Sequence, residues 1–190
     1  MEDMKYCLCC GEEVPFNVIE RHEKRESQCI YCGFILDVQK LWECAEDAGK
    51  GYALVVDDSK YTRKIIEDIL KENNFSAHVE SLENGAALIS TYSKLISENK
   101  PVDLAIIDLN MPVMDGLTAA LTLRTLETKK KIAKVPIVFF SSEKADEHLK
   151  NRLQEFTPAI YVNKTNDPDP DKLAKRVEEL VSYVLATYRQ

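Results

Sequence analysis

Two groups of residues in this sequence could do chemistry: carboxylates that follow short apolar runs, and cysteines gathered near the N-terminus. Leu54-Val55-Val56 runs into Asp57 and Asp58, and Ile106-Ile107 runs into Asp108. Phe139-Phe140 leads to Ser141, and Tyr161-Val162-Asn163 leads to Lys164. Singly, an acid after such a run is usually a turn or helix-cap residue, and Asp58 or Ser59 could fill that role. Joint recurrence after four runs is much harder to obtain by accident. Carboxylates brought together repel one another and raise a pKa unless a cation intervenes. A hard divalent ion such as Mg²⁺ binds through a few carboxylates while keeping several waters. With a hydroxyl and an ammonium on its rim, such a pocket can neutralise a phosphoryl group attached to a carboxylate.

The cysteines form the second group. Cys7-Leu8-Cys9-Cys10-Gly11 and Cys29-Ile30-Tyr31-Cys32-Gly33 are two C-x₂-C-G knuckles with eighteen residues between them. That interval lies inside the roughly 15–20 residues typical of zinc sites. Two thiolates separated by two residues can grip one cation from a tight turn, and the trailing glycine permits a backbone whose amides point back at sulfur. The expected ligands are Cys7, Cys10, Cys29 and Cys32. Zinc is the expected metal, although a tetrathiolate also accepts iron. Cys9 inside the first knuckle and His22 among charged residues are read as non-ligands, and Cys44 as a small buried thiol.

These residues need elements to position them. From Gly51 onward, apolar runs at 52–56, 77–79, 104–107, 137–140 and 159–162 alternate with helical patterns at 59–73, 83–98, 115–133, 145–155 and 169–188. Five such alternations predict an α/β fold, a doubly wound parallel sheet with helices on both faces. In such a sheet the first and third strands are neighbours at the topological switch point, which brings Asp57, Asp58 and Asp108 into one crevice at the carboxyl edge. Before it, Val38, Leu41, Trp42 and Ala45 make one helical stripe between Asp37 and Gly49, with Asp37 placed to cap its start. The expected organisation is a four-cysteine module over 1–36, an amphipathic linker helix over 37–50, and the α/β unit over 51–190.

Composition narrows the function. The 190 residues are 45% hydrophobic and 30% charged, with a formal net charge of −7. A core can be buried, and a phosphate backbone is a poor partner for such a chain. Residues 1–37 hold four basic against eight acidic side chains, and a zinc tetrathiolate adds further negative charge. Nucleic-acid readout by the module is therefore disfavoured, which leaves a structural cap or a protein-docking surface. No run approaches the ~18 apolar residues of a membrane helix. The N-terminus is unlike a secretory signal, and the cysteines suit metal ligation in a reducing compartment, so a cytoplasmic location is expected.

Residues 51–190 resemble the receiver domain of two-component response regulators. The resemblance rests on Leu54-Val55-Val56-Asp57-Asp58-Ser59 and, more specifically, on Asp108-Leu109-Asn110-Met111-Pro112-Val113-Met114-Asp115-Gly116. It implies a flavodoxin-like sheet of order 2-1-3-4-5, with Asp108 as phosphoacceptor. It further implies Mg²⁺ held by Asp57, Asp58, Asp108 and the backbone carbonyl of Asn110. Ser141 corresponds to the switch hydroxyl that binds the phosphoryl group, Lys164 to the family lysine, and Tyr161 to the aromatic switch. Such receivers usually carry proline after the lysine, often through a cis bond; Thr165 stands here, and a cis bond before it would cost about 2.5–4 kcal/mol. The cysteine segment resembles a zinc ribbon, and its second knuckle a rubredoxin knuckle. The implied donor is a sensor histidine kinase and the implied output a downstream protein, a homodimer being compatible with both. Turnover is expected to stop at self-phosphorylation and autodephosphorylation. Three competing readings are a haloacid-dehalogenase-type phosphatase, a phosphorylation-independent scaffold and a zinc-ribbon DNA-binding regulator. The phosphatase family puts its nucleophile on the first strand with a second Asp two residues on, whereas Asp57 and Asp58 are adjacent here.

Overall fold

The computed structural model describes residues 4–21, 24–37, 51–142, 147–164 and 170–188. The expected linker helix, His22, Cys44 and the Lys164–Thr165 peptide lie outside them.

Three N-terminal strands, β1 (Met4–Cys7), β2 (Glu12–Arg21) and β3 (Lys24–Cys29), form an antiparallel meander. β1 meets β2 from Met4↔Pro15 to Cys7↔Glu12, and β2 meets β3 from Phe16↔Cys29 to Arg21↔Lys24. Two tight turns of the same design carry the cysteines. Gly11 N donates to Cys7 O at 2.7 Å and Gly33 N to Cys29 O at 2.9 Å, with φ of 75° and 74° at the two glycines. A side chain is strained in that left-handed region, which explains the glycine that ends each knuckle. The carboxylate of Asp37, the expected cap of that linker helix, reaches into this small sheet. It accepts from Ser27 N at 2.6 Å and from Lys5 Nζ at 2.5 Å.

The rest of the chain alternates strand and helix: β4 (Tyr52–Val56), α1 (Lys60–Glu72), β5 (His78–Leu82), α2 (Gly85–Ser97), β6 (Val102–Ile107), α3 (Gly116–Lys130), β7 (Ile137–Ser141), α4 (Glu147–Gln154), β8 (Ala159–Asn163) and α5 (Pro170–Tyr188). The five strands are parallel in the order β5-β4-β6-β7-β8, as the doubly wound reading predicts. Period-2 alternation splits each strand between two cores. Ala53, Val55, Leu104, Ile106, Val138 and Phe140 pack with α1 and α5. Leu54, Val56, Ala105, Ile107, Ile137 and Phe139 pack with α2 and α3. Helix starts follow side-chain capping: Ser59, Asn84 and Asp115 accept from Thr62 N, Ala87 N and Thr118 N, each satisfying an otherwise orphaned amide.

The two sheets are seated against each other. Cys7, Cys9, Val14, Cys29 and Phe34 share one buried cluster with Val162 of β8 and with Val177, Val181 and Val184 of α5. Phe34 meets Tyr183 edge-on, with ring centroids 5.1 Å apart. A segment too short to build its own core thus borrows one.

Candidate phosphoryl and metal sites

The carboxyl ends of β4 and β6 are fixed by main chain before any side chain is considered. Asp57 N donates to Leu82 O at 3.1 Å, and Asp108 N to Val56 O at 2.8 Å. β4 and β6 are direct neighbours, so their trailing acids converge. The carboxylates of Asp57, Asp58 and Asp108 lie within 4.8 Å of one another. Asp57 and Asp108 are buried and Asp58 is exposed at the mouth. Burial pushes the Asp57 carboxyl up, against the opposing pull of Lys164.

Lys164, from the far edge strand, crosses to this pocket. Its ammonium stands 2.5 Å from Asp57 Oδ2 and 2.9 Å from Asp108 Oδ2, bridging the two buried acids. Its own N–H donates to Ser141 O at 2.7 Å, which ties the end of β8 to the end of β7. Ser141 is fully buried there and pairs in register with Asn163. Tyr161 is turned inward into the core lined by α2 and α3, and its hydroxyl is 3.4 Å from Asn163 Nδ2, which donates to it. Asn110 is exposed, and its amide donates to Asp108 Oδ1 at 3.4 Å.

The loop after Asp108 is held tightly. A Cβ on Gly116 would stand 2.1 Å from the Asp108 carbonyl oxygen, so only glycine allows α3 to start that close. Val113 sits at φ 69° and is 85% exposed; a β-branched residue there is a strained position of the kind that clusters at functional loops.

Two features escape the sequence reading, one at this edge and one at the opposite, amino edge of the sheet. Arg63 of α1 reaches back, and its Nη1 donates to Asp57 O at 2.5 Å and Asp58 O at 3.2 Å. Its place one turn into a capped helix was the available signal. The other is a buried ion pair beneath α3. Arg124 Nη1 donates to Glu127 Oε2 at 2.8 Å, Arg124 Nη2 to Phe156 O at 2.8 Å, and Val135 N to Glu127 Oε1 at 2.7 Å.

These features decide the family. Residues 53–178 match the response regulator receiver domain. The chain belongs to that family. Chemotaxis protein CheY of Bacillus subtilis is 38% identical over 79 residues, 42% of this chain and 61% of that protein. Two-component response regulator ORR5 of Oryza sativa subsp. japonica is 26% identical over 132 residues, 70% of this chain and 92% of that protein. Among solved structures, the receiver domain of the histidine kinase CKI1 from Arabidopsis thaliana, complexed with Mg²⁺ and BeF₃⁻, superposes with a TM-score of 0.56. It is 22% identical and covers 71% of this chain and 92% of that one, a likeness of fold. No helix among the described residues is long and apolar enough to cross a membrane.

The receiver match begins after the cysteine sheet, whose geometry speaks for itself. The sulfurs of Cys7, Cys10, Cys29 and Cys32 lie within 4.8 Å of one another, with Cys7–Cys32 at 3.5 Å and Cys10–Cys29 at 3.7 Å. A tetrahedron with metal–sulfur bonds of about 2.3 Å has edges of about 3.8 Å, so the four thiols fit such an ion. Amides converge on them: Cys10 N on Cys7 Sγ at 3.5 Å, and Tyr31 N and Cys32 N on Cys29 Sγ at 3.3 and 3.4 Å. Neighbouring thiols, Cys10 foremost, pull Cys7 toward the thiolate. Cys9 stands outside the quartet, and complete burial holds it as a neutral thiol.

Proposed function

We propose that this receiver accepts a phosphoryl group on Asp108 from a sensor histidine kinase and signals through protein contacts. The observation that carries the reading is the Lys164 ammonium bridging Asp57 and Asp108. Two buried carboxylates and a solvent-facing third need positive charge. The lysine supplies part of it on one side, and the oxygen donors Asp57, Asp58, Asp108 and the Asn110 carbonyl suit Mg²⁺ on the other. When bound, the ion would offset charge on the phosphoryl oxygens in flight. An Asp108 carboxylate oxygen forms the new bond to phosphorus as the bond from phosphorus to the donor's histidine nitrogen breaks, the electron pair leaving with the imidazole. Lys164, held by Ser141 O, can turn from the carboxylates to a phosphoryl oxygen, and the Ser141 hydroxyl is the second group assigned to it. Tyr161 would report the change by repacking.

In the same reading, Cys7, Cys10, Cys29 and Cys32 hold one zinc ion, and the unit over 1–36 is a zinc-ribbon-like module joined to a receiver over 51–190. The thiolate donor set would equally take iron; a colourless metal-loaded protein separates zinc from red, redox-bleachable iron.

Incubation with Mg²⁺ and a small phosphodonor, read by intact mass, tests the assignment. One phosphoryl group is expected per chain, none in Asp108→Asn, and little in Asp57→Asn or Asp58→Asn. Modification that survives Asp108→Asn refutes the assignment, and steady turnover of a generic phosphate ester would favour a phosphatase.

A further inference from the structure

Among the described strands β8 stands at the edge of its sheet, next to β7. An open edge presents unpaired amides, which other proteins blunt with charge, proline or a covering segment. Here the Asn163 amide donates to Cys9 O at 2.8 Å. Cys9 lies inside the first knuckle, between Cys7 and Cys10, so the way the knuckle wraps its sulfurs sets where that carbonyl points. The residue after Asn163 is Lys164, whose ammonium lies on Asp57 and Asp108. One peptide unit therefore separates the metal knuckle's hydrogen bond from the lysine at the phosphoryl site. The end of β8 is clamped twice, by Ser141 O acting on Lys164 N and by Cys9 O acting on Asn163 N. Phe34 against Tyr183 holds the second clamp in place.

We propose that the cysteine knuckle is a positioning element for Lys164: metal in the four-cysteine site aligns the end of β8, and phosphoryl chemistry at Asp108 stabilises the metal in return. The inference rests on the reading of Asp108 and of the cysteine quartet given above. It has a selective signature. Asp57, Asp58 and Asp108 follow β4 and β6, and β7 separates both from β8, so loss of the ribbon metal should spare Mg²⁺ binding while impairing phosphorylation. Coupling between two sites is also reciprocal, so each site must answer to the other.

The test uses the full chain in saturating Mg²⁺. Stripping the ribbon metal should slow Asp108 phosphorylation by phosphoramidate about tenfold, the size of a typical two-site coupling, without weakening Mg²⁺ binding. In Lys164→Met, stripping should produce no additional slowing, because the side chain being aimed is gone; independent effects would instead add. Conversely, beryllofluoride with Mg²⁺ should slow zinc transfer from the loaded wild-type chain to a chromogenic chelator severalfold. This second readout starts from loaded, folded protein and does not depend on the stripped chain staying folded. Equal slowing on stripping in wild type and Lys164→Met overturns the proposal, as does zinc release indifferent to beryllofluoride. Loss of Mg²⁺ binding together with phosphorylation would mean that the ribbon supports the receiver as a whole, which also overturns it. If the loaded chain takes no phosphoryl group on Asp108, the underlying site assignment falls, and the inference with it.

Discussion

Replacing Lys164 by methionine should make this protein's stability depend strongly on Mg²⁺. Methionine keeps most of the stem and removes the charge. The ammonium touches carboxylates whose side chains are only 2% and 8% exposed, and is itself 16% exposed. Removing one member of a buried ion pair typically costs about 3–5 kcal/mol, because the partner charge is left uncompensated. Two unit charges 4 Å apart at an effective dielectric of 20 interact by about 4 kcal/mol, which agrees in size. Against a native stability of roughly 5–15 kcal/mol, that loss is large. Mg²⁺ at 100 times the variant's dissociation constant would stabilise the variant by about 2.7 kcal/mol, and the parent gains less, because its lysine already neutralises part of the charge the ion meets and so weakens its binding. Urea unfolding of both proteins, in Mg²⁺-depleted and Mg²⁺-saturated buffer, checks this; depletion must avoid chelators that would also strip the cysteine site. The variant is expected to lose about 3–5 kcal/mol without Mg²⁺ and markedly less with it. An equal loss in both buffers, or a loss below about 1 kcal/mol without Mg²⁺, would refute the view that lysine and divalent ion neutralise the same carboxylates.

Three further outcomes follow from the same structure. Glu127→Ala leaves a buried guanidinium without its counter-charge and the Val135 amide and Tyr92 hydroxyl without their acceptor, and should cost about 3–5 kcal/mol by urea unfolding, with Mg²⁺ affinity unchanged. Gly116→Ala should destabilise by about 1–3 kcal/mol and sharply slow Asp108 phosphorylation, since the added methyl strikes the Asp108 carbonyl; a normal phosphorylation rate would contradict it. Asp115→Ala removes the α3 cap and should cost about 1 kcal/mol at pH 7. The Thr118 amide holds the Asp115 carboxyl below its ordinary range. That contribution is therefore complete above an unfolded value of about 3.9 and fades as pH falls through the native one, so the gap between variant and parent should shrink as pH falls below that range.

Much of the receiver was legible because its physics is local. Runs such as Leu54–Val56 and Ile106–Ile107 can be buried on both faces only in a covered parallel sheet, and the acids that end them must then meet at the switch point. The knuckle cysteines were legible for a similar reason, since spacing and a terminal glycine specify the turn. Element ends were less so: β5 runs His78–Leu82, past the 77–79 apolar run, because ladder pairing with β4 continues through polar Glu80 and Ser81. No motif marks Arg124 and Glu127, and only the docking of α3 reveals them as buried partners. The partners of Asp37, Lys5 and Ser27, lie 32 and 10 residues away, beyond what a reading of neighbours along the chain reveals. The Cys9–Asn163 bond is main chain to main chain, and no side-chain pattern encodes it.

That bond bears on the residue where this chain departs from its family's habit. Thr165 stands directly after the lysine where such receivers usually carry proline, and the backbone that leads into Lys164 is held from two sides. On one side β7 supplies the Ser141 carbonyl, and on the other the cysteine knuckle supplies that of Cys9. The same contact serves the small sheet. Cys7, Val14 and Phe34 are buried largely because β8 and α5 lie beneath them, and a segment of that length has little core of its own. Each unit thus completes something the other lacks: the receiver gains a covered edge, and the cysteine sheet gains an apolar floor. Such mutual dependence makes the state of one site visible at the other without a long relay, since one peptide unit connects them.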